Sequence, residues 1–256
     1  MKAVILAGGY GTRLAEETEV RPKPLVQIGP EPILWHILKH YAHFGVSDFV
    51  VALGYLGDEI KRYFVDRQRL GGSMLVDLAS GSIERSDLAS ESWKVDLVET
   101  GIHSMTGGRV LRLRDRLRSG TFLLTYGDGV ANVDIHELLA FHRREGRVAT
   151  VTAVRPPARF GGLVLDGSRV VRFSEKPQTG EGWINGGFLV CEPALFDYLK
   201  DDTSVLETDA LERLADEGKL AAYKHEGFWQ CMDTLRDKRQ LESLWNSGRA
   251  PWKVWS

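Results

Sequence analysis

Apolar residues along this chain fall into two rhythms. Val4-Ile5-Leu6-Ala7 is a continuous, branched run with the length of a buried strand, and Phe49-Val50-Val51-Ala52-Leu53 and Phe122-Leu123-Leu124-Thr125-Tyr126 repeat that signature. Between them, Ile33, Leu34, Ile37, Leu38 and Tyr41 recur at helical spacing. Helices are also predicted over 58–64 and 134–144, and Val110, Leu113 and Leu117 place another amid the arginines of 109–118. Such alternation predicts a mostly parallel sheet covered by helices, which binds ligands beyond the carboxyl ends of its strands. Gly8-Gly9 and Gly127-Asp128-Gly129 both fall at that edge.

The second half changes rhythm. Runs at 162–165 and 170–173 flank Asp166-Gly167, a hairpin signal, and helical patterns return over 194–200, 207–217 and 235–244. Residues 66–98, with their glycines, serines and charges, read as a mobile or irregular excursion. No linker divides the chain. The expected fold is a single α/β domain, Rossmann-like, with a mixed, mostly parallel sheet flanked by helices, a small β-rich extension and C-terminal helices.

Composition narrows the function classes. With 33 basic and 35 acidic residues, the formal net charge of −2 gives no reason to expect nucleic acid or an anionic membrane as partner. Two cysteines, Cys191 and Cys231, fit a reduced compartment and carry no metal-binding spacing. The N-terminal apolar run is too short for a signal peptide or a membrane span, so a cytoplasmic location is expected.

The chemistry concentrates in a few loops. After the first strand comes Gly8-Gly9-Tyr10-Gly11-Thr12-Arg13, where bare backbone amides can approach a phosphate and an arginine adds a forked donor. Gly-Lys-Ser/Thr is absent, which removes a P-loop, and Leu14 breaks a dinucleotide fingerprint. A ligand-free tight turn is the alternative; Arg13 and Lys23 tilt the balance toward a nucleoside triphosphate cradle. Pro22-Lys23-Pro24 is expected to hold Lys23 on an extended segment, free to project. Asp128 suits a magnesium ligand or merely an Asp-Gly turn, and Asp233 suits a second ligand or a helix N-terminal acid. Arg109, beside Gly107-Gly108, is the one arginine of its run expected to serve the site. Glu175-Lys176 suits a sugar phosphate or a surface ion pair, and Asn185-Gly186 suits polar recognition or a β-turn.

Taken together, these segments resemble the sugar-1-phosphate nucleotidyltransferases nearly end to end. The turn Gly8-Gly9-Tyr10-Gly11-Thr12-Arg13-Leu14 is of a kind shared across that superfamily. Met105-Thr106-Gly107-Gly108-Arg109, Tyr126-Gly127-Asp128-Gly129-Val130 and Phe228-Trp229-Gln230 through Asp237 are similar to its cytidylyltransferase branch, as is Ala250-Pro251-Trp252-Lys253-Val254-Trp255. The resemblance implies CTP and glucose 1-phosphate as substrates, CDP-glucose and pyrophosphate as products, and in-line attack with magnesium as cofactor. It implies a nucleotide-binding half (1–150) and a sugar-phosphate-binding and C-terminal half (151–256).

On the nucleotide side the resemblance implies Leu6, Ala7, Gly8, Gly9, Gly11, Thr12, Arg13, Lys23, Thr106, Gly107, Arg109 and Gly127. On the sugar-phosphate side it implies Tyr126, Glu175, Lys176, Asn185 and Gly186. Arg13 would hold the leaving pyrophosphate, Lys23 would bridge phosphates, and Asp128 and Asp233 would hold the metal. Three positions depart from the family: Leu206-Glu207-Thr208-Asp209-Ala210 lacks an aromatic residue and a proline, and Asn132 and Ile102-His103 replace acidic and small polar residues. Another phosphorylated acceptor, or a non-catalytic sugar-nucleotide sensor, are the rival readings. A homo-oligomer is expected, with the tryptophan-rich tail docked on its own subunit or on another.

Overall fold

The computed structural model describes residues 1–18, 21–87, 91–156, 162–166, 169–174 and 182–255. The central sheet has strands β1 (Lys2–Leu6), β2 (Asp48–Leu53), β3 (Lys94–Glu99), β4 (Phe122–Tyr126), β5 (Ala149–Val154), β6 (Ile184–Asn185), β7 (Leu189–Cys191) and β8 (Leu220–His225). Their order is β6-β5-β7-β4-β1-β2-β3, with β8 also paired to β5. β4, β1, β2 and β3 run parallel, as does β8 beside β5. β7 is inserted antiparallel between β4 and β5. The sheet is therefore mixed, and parallel where the glycine turn leaves β1.

Strands with continuous apolar runs are buried on both faces, as a sheet between helical layers requires. Ala3, Ile5, Phe49, Val51 and Leu123 face one core, which holds helix α1 (Ile33–His43) and the C-terminal tail. Helix α2 (Gly57–Leu70) packs on that same core through Ile60, Tyr63 and Phe64, while Val4, Leu6, Val50, Ala52 and Leu124 face the other core, where α3 (Thr106–Arg112) packs through Val110. Helix α4 (Ile135–Glu145) begins at Asp134, whose side chain accepts from the Glu137 amide. Helix α5 (Leu235–Asn246) opens on a reciprocal capping box between Thr234 and Asp237.

Several segments differ from expectation. Residues 66–98 are largely regular: α2 runs on to Leu70, and Ser73–Asp77 pairs with Ser82–Ser86 as an exposed hairpin. Its flanking glycines, serines and charges hid it, and its strands are exposed along their whole length. The arginine stretch breaks into α3 and a separate turn, Arg114–Leu117. The 194–200 signal is a 3₁₀ segment, Pro193–Tyr198, and 207–217 is a π-helical Leu206–Glu212 followed by Arg213–Asp216. The backbone pairing of Gly162–Asp166 with Arg169–Ser174 matches the hairpin signal. The tail docks on its own subunit. Trp252 is fully buried, stacks on Phe228 at 5.6 Å, and its indole N–H donates to His36 Nδ1 at 3.4 Å. Among the described residues, no helix is long and apolar enough to cross a membrane.

Candidate functional site

Register alone assembles the site. Leu6 and Tyr126 are neighbours at the parallel ends of β1 and β4, and the Gly127 amide donates to the Leu6 carbonyl at 3.0 Å. A Cβ on Gly127 would meet that oxygen at 3.0 Å and Pro24 at 3.1 Å, so any larger residue would press the two loops apart by a few tenths of an ångström. Beyond Asp128, Gly129–Ala131 pairs antiparallel with Trp229–Cys231, and the Met232 amide donates to the Asp128 carbonyl at 2.8 Å. That small ladder carries Asp233 across 105 residues of chain to the side of Asp128. Asp237 fixes it there by accepting from the Asp233 amide at 3.1 Å.

Between the two aspartates lies Lys23. Its ammonium donates to Asp128 Oδ2 and to Asp233 Oδ1, each at 2.6 Å. The expectation that Lys23 projects freely from an extended segment is corrected. Pro22 is extended, but Lys23–Leu25 is a 3₁₀ turn, and the lysine side chain is just 10% exposed. Burial would lower its pKa, but the charges and hydrogen bonds of Asp128 and Asp233 outweigh burial and raise it. The thiol of neighbouring Cys231 is pushed up to about 12, by burial first and then by the two aspartates, so it stays protonated.

Lys23 and Asp128 form the floor of a cleft of about 440 Å³, the size of a nucleotide-scale pocket, and Asp233 sits against Lys23 outside the cleft lining. Leu6, Ala7, Gly8, Gly9, Gly11, Thr12, Lys23, Thr106, Arg109, Tyr126, Gly127 and Asp128 line it, together with Tyr10, Pro24 and 102–105. The backbone of Arg13 lies in the turn Thr12–Leu14; its side chain, and all of Glu175 and Lys176, lie outside the described residues. Gly11 is left-handed (φ +65°), and the Thr18 hydroxyl donates to its carbonyl at 3.1 Å.

Arg109 is placed in the cleft wall but turned inward. Its guanidinium donates to the carbonyls of Gly8 (2.8 Å), Leu53 (3.0 Å), Gly101 (2.6 Å) and Ile102 (3.3 Å), and to the Thr100 hydroxyl (2.9 Å). No carboxylate meets it in these contacts, and burial lowers its pKa. Arg109 thus ties the glycine turn to the 100–102 loop. A Cβ on Gly8 would collide with the guanidinium. Gly107 faces away from the cleft: a Cβ there would meet the Ser204 carbonyl at 2.8 Å.

The sugar-side residues are brought partly together. The Asn185 amide donates to the Tyr126 hydroxyl at 3.4 Å while its oxygen accepts from the Gly187 amide at 2.9 Å, the turn geometry its sequence allowed. Gly186 is buried against Val154, 2.6 Å from where a Cβ would stand. Sequence reading gave Glu207 no role, yet its carboxylate accepts from both Tyr126 and Thr106. Asn132 holds the 225–228 turn, accepting from the Phe228 amide at 2.7 Å. His103 meets the Tyr10 hydroxyl at 3.2 Å. Neither contact is visible in sequence spacing.

Comparison with known proteins agrees with this architecture. Residues 2–240 match the family described as nucleotidyl transferase. The chain is 48% identical to the glucose-1-phosphate cytidylyltransferase of Salmonella typhi over 256 residues, all of both chains. It is 30% identical to the mannose-1-phosphate guanylyltransferase catalytic subunit beta of Xenopus tropicalis, over 93% of this chain and 62% of that one. Among solved structures, the inositol-1-phosphate CTP transferase of T. maritima superposes with a TM-score of 0.67 at 15% identity, covering 100% of this chain and 97% of the other. HddC of Yersinia pseudotuberculosis, complexed with GMP-PN, gives 0.69 at 21%, covering 95% and 99%. At those identities the likeness is one of fold.

Proposed function

The chain belongs to the nucleotidyl transferase family, and we infer that it carries glucose-1-phosphate cytidylyltransferase activity, the activity for which its full-length relatives are named. CTP and glucose 1-phosphate give CDP-glucose and pyrophosphate. The sugar phosphate oxygen attacks the α-phosphorus, a bond to that oxygen forms, and the bond to the β-phosphate breaks. No protein nucleophile is needed, so catalysis is positioning and charge neutralisation.

In the geometry, the convergence of Asp128 and Asp233 on Lys23 carries this reading, with Lys23 and Asp128 lining the cleft. A buried ammonium beside the glycine turn supplies a mobile positive charge for phosphate oxygens, and its raised pKa keeps it charged at neutral pH. Two carboxylates that approach one cation from different loops are a hard, oxygen-only donor pair, the kind magnesium accepts alongside phosphates. Asp128 and Asp233 would hold that ion, which when bound neutralises triphosphate charge. Arg109 holds the Gly8 turn and the 100–102 loop in one register, so base reading falls to backbone groups of both. Arg13 serves the leaving pyrophosphate, and Glu175, Lys176 and Asn185 serve the sugar phosphate.

A homo-oligomer belongs to the same reading. The hairpin Ser73–Asp77/Ser82–Ser86 exposes Met74, Val76 and Ile83, with Leu78 at its tip, and an isolated hairpin gains little stability alone. Light scattering that gives the single-chain mass of 28.7 kDa would contradict it. The activity is tested by phosphorus NMR of CTP, glucose 1-phosphate, magnesium and the protein. Stoichiometric CDP-glucose and pyrophosphate are expected; unchanged substrates would refute the assignment.

A further inference from the structure

Glu207 stands behind the cleft wall and touches both sides of it. Its Oε1 accepts from the Tyr126 hydroxyl at 2.5 Å, and its Oε2 accepts from the Thr106 hydroxyl at 2.7 Å. Tyr126 ends β4 and Thr106 begins α3; both line the cleft. The network extends at each end. The Thr106 hydroxyl also accepts from the Leu206 amide at 2.9 Å, and Tyr126 receives Asn185.

The backbone that presents Glu207 is itself anchored on α3. The Met105 amide donates to the Asp202 carbonyl at 2.8 Å, and the Gly108 amide to the Ser204 carbonyl at 2.9 Å. Arg112 grips Asp202 through two guanidinium nitrogens, at 2.7 and 2.5 Å. The close packing uses Gly107 and Gly108, neither of which leaves room for a Cβ against 202–206. Leu206–Glu212 is then π-helical, a wide turn that recurs at functional sites. Much anchoring is thus spent on aiming one carboxylate.

We propose that Glu207 is a positioning residue for both substrates, setting Thr106 on the nucleotide side and Tyr126 on the sugar-phosphate side at once. This rests on the assignment of those two sides made above. A carboxylate suits the task because both oxygens accept, and the two hydroxyls have only protons to offer it. Glutamine can keep one such bond and reverse the other; alanine keeps neither.

The test is steady-state kinetics of Glu207→Ala, Glu207→Gln, Thr106→Val and Tyr126→Phe, all below their unfolding midpoints by circular dichroism. Glu207→Ala is expected to raise KM for CTP and for glucose 1-phosphate about tenfold each, with kcat changed less than about threefold. Glu207→Gln recovers most of both losses. Thr106→Val affects only the CTP KM, Tyr126→Phe only the sugar-phosphate KM, and neither adds to Glu207→Ala for its own substrate. Unchanged KM values in folded Glu207→Ala, a change in one substrate alone, or full additivity would overturn the proposal. Calorimetric titration of CTP separates it from the assignment of activity. A parent that binds CTP without turnover contradicts the activity, and equal CTP affinity of parent and Glu207→Ala contradicts the positioning role.

Discussion

Replacing Lys23 by methionine removes one charge and almost no volume, and so isolates the electrostatics of the cleft floor. The ammonium sits 2.6 Å from each of two carboxylates, with side-chain exposures of 10% for Lys23, 31% for Asp128 and 12% for Asp233. Breaking a buried pair from one side costs about 3–5 kcal/mol, because the remaining carboxylates lose this cation. Asp128 keeps a third of its surface in water, which places the expected loss near the lower end, about 3 kcal/mol. For a chain of this size that lowers Tm by about 6–12 °C. Magnesium then distinguishes this from ordinary loss of packing. In the variant the two carboxylates face a divalent ion without the Lys23 ammonium between them. At about 100 times its Kd the ion returns about 2.7 kcal/mol, most of the loss. Thermal melts of parent and Lys23→Met, with and without magnesium, measure both effects. A variant that melts within about 2 °C of the parent without metal, or equal magnesium shifts in the two proteins, would refute the reasoning.

Three further outcomes follow from the same contacts. Arg109→Met removes the guanidinium from four carbonyls and a hydroxyl; Gly8 and Leu53 keep other donors, while Gly101 and Ile102 lose theirs, so urea unfolding should show a loss of about 3 kcal/mol, with a raised CTP KM in what remains folded. Gly8→Ala drives a methyl into the guanidinium and should raise the CTP KM while leaving the sugar-phosphate KM near the parent value. His40 is held neutral, its pKa pushed down to about 4 chiefly by burial, and burial lowers His36 and His225 as well. The unfolded chain therefore binds more protons between about pH 6.5 and 4, so stability falls as pH falls through that window, by about 3 kcal/mol for His40 alone. Urea midpoints that stay flat from pH 7 to 4.5 would contradict it.

Much of this site was legible in the chain because its signals are local. A branched apolar run before glycines marks β1 and its turn, and a carboxylate between glycines after another such run marks Asp128. What sequence alone could not show was set by contacts between distant residues. Lys23 looks free beside its prolines, and only the ladder that brings Asp233 to Asp128 shows why it is buried. Arg109 looks like a ligand arginine, yet its partners are carbonyls from β2, the glycine turn and the 100–102 loop, which carry no residue-type signature. Glu207 lies in a segment whose helical rhythm hides a π-turn, and its partners are 81 and 101 residues away. The hairpin at 73–86 escaped for the opposite reason, since strands exposed along their whole length lack the alternation that burial imposes.

The central claim is a two-substrate site that joins a pyrimidine nucleotide to glucose 1-phosphate. A matrix of the four ribonucleoside triphosphates and dTTP against glucose, galactose, mannose and glucosamine 1-phosphates, read as pyrophosphate release with magnesium, tests it most directly. The expected result is one dominant cell, CTP with glucose 1-phosphate, exceeding every purine cell by at least about 100-fold in kcat/KM. Equal release with ATP or GTP, or a dominant sugar other than glucose, would contradict the account.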